Sequence, residues 1–118
     1  MQTQDAILAF AQSEKIKAGL IWISQALAMS KGLDEHERRG AERVVNAIIG
    51  MIEHEIQLAK KLTGDASWEQ ILRNVDQALV MIRSGVGSES VVHFTQALSG
   101  VTNIGQRSMA FLKDVDLL

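Results

Sequence analysis

Apolar side chains return every three or four residues through most of the chain, the period of a helix, and the pattern lapses only at short glycine-containing breaks. Four helical segments follow, at about 3–30, 34–63, 67–84 and 88–114, in a chain that has no proline. The breaks carry stop and start chemistry. Gly32 closes the first segment, and Asp34 with Glu37 three residues on is a capping-box pair for the second. Gly64 followed by Ser67 and Gln70 repeats that signal, and Gly85, Gly87 and Ser88 supply a third break. Connections this short force successive helices antiparallel, so the expected fold is all-α, an antiparallel up-down-up-down four-helix bundle. At 118 residues the chain suits a single domain, 1–118, built on one core.

The faces of the segments differ in clarity. In the third, Trp68, Ile71, Leu72, Val75, Ala78, Leu79 and Ile82 fall on one side and predict a core face. The fourth carries Val91, Phe94, Leu98, Val101, Gly105, Met109 and Leu112, with Ala97, Gly100, Ser108 and Ala110 beside them to admit a neighbouring backbone. The first has two apolar stripes on opposite sides: Ile7, Phe10, Ala11, Ala18, Ile21, Trp22, Ala28 and Met29 form one, and Ile16, Leu20, Ile23 and Leu27 the other. A bundle buries one stripe per helix, so the second predicts a partner surface. The expectation is a homodimer through Ile16, Leu20, Ile23 and Leu27, the same surface being available to another protein partner. Gln25-Ala-Leu-Ala-Met and Gln77-Ala-Leu-Val-Met sit near the ends of the two odd-numbered segments, but Gln-Ala-Leu recurs at Gln96 and marks common helix formers rather than a duplication.

Polar residues within apolar series raise the next question. Glu14 lies between Ala11 and Ala18, and Glu55 between Ile48, Ile52, Ala59 and Leu62; both are expected to point inward, with Gln25 as a third buried polar group. His54 projects away from that stripe, so Glu53, His54 and Glu55 are not one constellation. Pairing about the turn at 31–33 sets Glu14 opposite a residue near 50, which leaves it ~7 Å out of level with Glu55. A bundle can hold two metals between inward glutamates and Glu-x-x-His pairs, but Leu33, Met51 and Ser90 stand three residues before His36, His54 and His93. That motif is missing. Glu55 is then expected to be a buried or interfacial group that fixes helix register. Glu89 and His93, one turn apart, are the remaining ligand pair, with His36 expected at the same end of the bundle.

Composition narrows the classes further. Apolar residues are 47% and charged residues 22% of the chain, as in ordinary globular proteins, and the formal net charge is −2. Arg38, Arg39 and Arg43 alternate with Glu35, Glu37 and Glu42, the pattern of a solvated helix face, and with five aromatic residues no nucleic-acid surface is expected. The absence of cysteine removes thiol chemistry and disulfides and favours a cytoplasmic setting. Neither a signal peptide nor a membrane span is expected, since AILAFA ends at Glu14 and Lys15 and the run Ala18–Met29 is too short to cross a bilayer.

His36-Glu-Arg-Arg-Gly-Ala41 resembles the active-site motif of histidine phosphotransfer domains, which are four-helix bundles of about this length. The resemblance implies His36 as phosphoacceptor, with Arg39 three positions on to assist the phosphate and Gly40 four positions on to leave the imidazole open. Arg38 stands where that family has an apolar residue, and Gly32, Asp34 and Glu35 suggest a helix cap where it has a helical turn. No serine, histidine and acid occur in a recognisable catalytic order, and no glycine-rich loop follows a strand. The function expected from sequence is therefore a non-enzymatic interaction or adaptor module with no cofactor, the alternatives being histidine phosphotransfer and metal binding.

Overall fold

The computed structural model describes residues 1–118. Helix α1 spans Thr3–Ser30, α2 Glu35–Thr63, α3 Ser67–Arg83 and α4 Ser90–Asp114, with a 3-10 turn at Gly87–Glu89 leading into α4. There is no strand, and the four helices pack against one another as a four-helix bundle. Helices of 25–29 residues reach ~40 Å at 1.5 Å per residue. The 52 Å long axis of the molecule is thus the direction in which the helices run. Each helix touches its neighbour in sequence, and α1 closes the ring on α4.

Local chemistry sets the ends. The Asp34 carboxylate accepts from the backbone N–H of Glu37 at 2.8 Å, as the capping pair predicts. Gly64 ends α2 at φ 67°, in the left-handed region that glycine enters without strain, and donates its N–H to Lys60 O. The start of α3 differs from expectation. Ser67 makes no cap; the Asp65 side chain accepts from the Ser67 N–H at 2.9 Å instead, because Asp65 reaches forward over the first turn.

The core is one cluster running the length of the bundle. Helix α3 supplies Trp68, Ile71, Val75, Ala78, Leu79 and Ile82, with Leu72 packed at its edge, as its pattern predicts. Helix α4 supplies Phe94, Ala97, Val101 and Ile104, whereas Val91 faces solvent. On α2 the expected stripe splits in two. Val45, Ile49, Ile52, Ile56 and Ala59 are buried, while Ile48 and Leu62 stand at the surface with Val44, Met51 and Leu58.

Helix α1 requires a correction. Ile16, Leu20 and Ile23 are 1–2% exposed and Leu27 is half-buried against the core, so the stripe expected at an interface is the inner one. The opposite stripe holds the surface residues, including Ile7, Ile21, Trp22 and Met29. Both stripes are equally apolar, which is why hydrophobicity could not rank them. Their spacing does: Ala9, Ser13, Ile16, Leu20, Ile23, Leu27 and Ser30 alternate steps of four and three, the seam by which one helix fits into a bundle.

Close contacts hold the register. A Cβ added at Gly100 would lie 2.8 Å from Ile71 Cγ1, and one at Gly105 would lie 2.8 Å from Ser13 Oγ. Glycine therefore lets α4 approach α3 at one height and α1 at another. Asp65 meets Arg107 at 3.4 Å below the Ile71–Gly100 contact, and Gln12 meets Glu55 while Gly19 meets Ile52; residue numbers rise on one helix as they fall on the other, which is antiparallel pairing. Helix α3 has only 17 residues against 29 in α2, so the first turns of α2 overhang it. Every residue from Lys31 to Gly40 is exposed in that overhang.

Candidate functional site

An exposed apolar surface is built by α1 and α2 together. Val44, Ile48, Met51, Leu58 and Leu62 recur along α2 at steps of four, three and seven, a second stripe beside the core stripe. Antiparallel pairing lays Trp22, Ala26 and Met29 of α1 next to its first half. A shallow groove of about 460 Å³ runs between them, lined by Trp22, Ala26, Ile48 and Met51 and floored by Ile23 and Ile52. Trp22 is 69% exposed, Met29 78%, Met51 66% and Val44 60%, values more usual for lysine than for large apolar side chains.

Glu55 sits at the end of this groove, at the place in the outer stripe where an apolar residue would continue the series. It is half-buried and its partners are now defined. Gln12 donates through Nε2 to Oε2 at 3.1 Å and to the Glu55 carbonyl at 3.3 Å, and Lys15 Nζ donates to the same carboxylate at 3.2 Å. The Gln12 hydrogen bond, then that of Lys15, holds the Glu55 carboxyl below the usual range against a partial desolvation that would raise it. The carboxylate thus locks α1 to α2. Gln12 is the buried polar partner that periodicity missed; a glutamine among Ala9, Ser13 and Ile16 on the inner seam is the signal that marks it.

The other expected buried polar groups are at the surface. Glu14 is exposed and pairs with Lys17 at 2.9 Å, and Gln25 is exposed on the outside of α1, because both lie on the stripe that faces away from the core. Gln12 and Lys15 bracket Glu55, so Glu14 is nearly level with it; direction, not height, separates the two carboxylates. The buried polar residues are instead Gln12, Ser13, Ser30, Asn74, Ser90 and Ser108. Each of these serines donates its hydroxyl to a carbonyl three or four residues back, which satisfies it without a partner helix.

Two more carboxylates fasten the turn between α2 and α3. Burial raises Asp65, but hydrogen bonds from Ser67 and the charge of Arg107 outweigh it and leave the carboxyl lowered. Glu69 is lowered by its hydrogen bond and ion pair with Lys60, which ties α2 to α3.

His36, Arg39 and Gly40 all lie exposed in the first turns of α2. Arg39 is engaged by Glu35 at 2.7 Å, one turn back on its own helix. Glu89 and His93 sit on the entry to α4 at the same end as His36, and no group of three or more His, Asp or Glu comes together there or elsewhere. His93 is half-buried with Nδ1 enclosed and without a hydrogen-bond partner, while Glu89 is exposed. His54 is exposed, as its projection implies. No helix is long and apolar enough to cross a membrane.

Comparison of the chain with protein-family models, with curated proteins and with solved structures finds no match in any of the three.

Proposed function

We propose that the protein is a non-enzymatic helical interaction module that self-associates through the outer face of α1 and the stripe of α2 beside it. One observation carries the reading: the exposed apolar face of Trp22, Ala26, Met29, Val44, Ile48 and Met51, resumed beyond Glu55 by Leu58 and Leu62, which nothing in the chain covers. From the exposed fractions of these residues the apolar area is on the order of 800 Å² per protomer. That exceeds the ~300–600 Å² of the largest patch on a typical monomer. It equals the share each partner contributes to an interface of standard size.

A second copy of the chain is the occupant that suits the face. A two-fold axis makes one patch serve both sides, so a surface that is apolar at its centre meets its own kind without a charge mismatch. The charged residues that line the groove, Lys15 and Glu55, are already paired within each protomer and add no like-charge penalty on encounter. Phosphotransfer through His36 gains less support, since Arg39 is held by Glu35 and the surrounding turn is charged.

The test replaces Trp22 and Met51 together by aspartate, W22D/M51D, and follows sedimentation velocity and far-ultraviolet circular dichroism. Both positions are solvent-facing, so helicity is expected to persist while the sedimentation coefficient falls to that of a monomer. Equal sedimentation of parent and variant at every concentration would remove this face from the account.

A further inference from the structure

A second surface feature shares no lining residue with the α1/α2 groove. Because α3 stops short, the overhanging ends of α1 and α2 and the entry to α4 enclose a half-open cleft of about 1000 Å³. Its wall carries Ile21, Leu27, Val91, Phe94 and Leu98, and its mouth carries Lys31, Arg38 and Arg39 with Glu35 and Glu42.

The hydrogen bonds of the wall decide what it accepts. Five hydroxyls line this space, and four of them, all but Ser88, donate their protons to carbonyls of their own helix or turn. Ser24 donates to Leu20 at 2.9 Å, Ser30 to Leu27 at 2.7 Å, Thr95 to Val91 at 2.9 Å, and Ser90 to Gly87. These four have no proton left for a ligand acceptor, so the part of the wall they share with Leu27, Val91, Phe94 and Leu98 favours hydrocarbon, while Gln25 and Ser88 keep donors elsewhere in the lining. Unpaired cations stand at the mouth. Arg39 is taken by Glu35 at 2.7 Å, whereas neither Lys31 nor Arg38 is in an ion pair. With three cations and two carboxylates lining the cleft, the mouth has one positive charge in excess, which matches a single negative charge and, with Glu42 present, disfavours a polyanion.

We infer that the cleft between α1, the start of α2 and α4 binds a monoanion with a hydrocarbon body, a medium-chain carboxylate, its tail against Leu27, Phe94 and Leu98 and its head at Arg38 and Lys31. This site is independent of self-association and stands whether or not the α1/α2 face pairs.

Decanoate, decanol and inorganic phosphate, each titrated into the ¹⁵N-labelled full chain, test the inference by amide chemical shifts. Decanoate is expected to give saturable shifts at Ser24, Leu27, Phe94 and Leu98, with decanol and phosphate each binding at least tenfold more weakly. R38E, at an exposed position, is expected to weaken decanoate at least tenfold with the spectrum otherwise intact, and A28W, which narrows the cleft from the α1 side, to weaken decanoate and decanol alike. Decanol binding as tightly as decanoate, or decanoate unaffected by R38E, would overturn the assignment of the head group. Absence of saturation, binding only to anionic vesicles, or shifts centred on Trp22 and Met51 would overturn the site.

Discussion

Replacing Gly100 by alanine tests the packing of α3 on α4 where it is tightest. The added Cβ would stand 2.8 Å from Ile71 Cγ1 and 3.3 Å from its Cδ1, and Ile71 is 2% exposed. Cγ1 is fixed by the first side-chain torsion of a β-branched residue and cannot swing aside at its far end. Relief therefore requires a poor rotamer or separation of two helices, and overpacking of this kind costs about 1–3 kcal/mol. Alanine also gains about 1 kcal/mol of helix propensity over glycine, which offsets part of the loss. Gly50 isolates that gain, since it lies inside α2, is exposed, and its added Cβ would meet nothing within 4 Å. G50A should be stabilised by about 1 kcal/mol. G100A should then fall about 1–3 kcal/mol below G50A, because propensity cancels in the difference and the clash remains. Urea unfolding followed at 222 nm, at one protein concentration so that any association stays constant, measures both. If G100A gains as much as G50A, α3 and α4 do not meet at this height and the register argued above is wrong.

Two further outcomes follow from the inner seam and the polar lock. L20A should lose about 2–5 kcal/mol in urea unfolding, as a buried leucine does, with the mass of the folded species unchanged; a neutral effect would return Leu20 to the surface. Glu55, Asp65 and Glu69 all have lowered carboxyl pKa values when folded, so each stabilises the fold above the ordinary carboxylate range and ceases to do so as pH falls through its lowered value. E55Q should therefore be less stable than the parent at pH 7, and the gap should narrow as pH falls from the ordinary carboxylate range through the lowered Glu55 value. A gap that stays constant across this range in urea titrations would mean that the Gln12 and Lys15 contacts do not depend on the charge of Glu55.

Much of the fold is legible in the residues, and the errors have physical causes. The core face of helix α3 could be read because its two sides differ: Trp68, Ile71, Val75 and Ile82 oppose Arg73, Asp76 and Gln77. Helix α1 could not, because it is apolar on both sides, and a method that ranks stripes by hydrophobicity has nothing to compare. Its heptad seam, including the small Ser13 and the polar Gln12, held the answer, since packing selects regular spacing and size as well as apolarity. Glu55 was legible as a polar interruption of an apolar series, but its role depended on which of two α2 stripes it belonged to. It interrupts the outer one and reaches back to Gln12, a residue 43 positions away. The cleft was beyond sequence reading because it arises from a difference in helix length, a property of the assembled bundle.

Sedimentation equilibrium of the unmodified chain over a hundredfold range of concentration is the most direct test of the central claim. An apolar face on the order of 800 Å² should associate in the micromolar range or tighter, with hot-spot contacts at Trp22 and Met51 deciding where in that range it falls. The mass is expected to rise to a limit of twice the 12.9 kDa protomer and to stop there, because a two-fold interface closes on itself. A mass fixed at 12.9 kDa throughout, or one that climbs without limit, would contradict a closed dimer through α1 and α2.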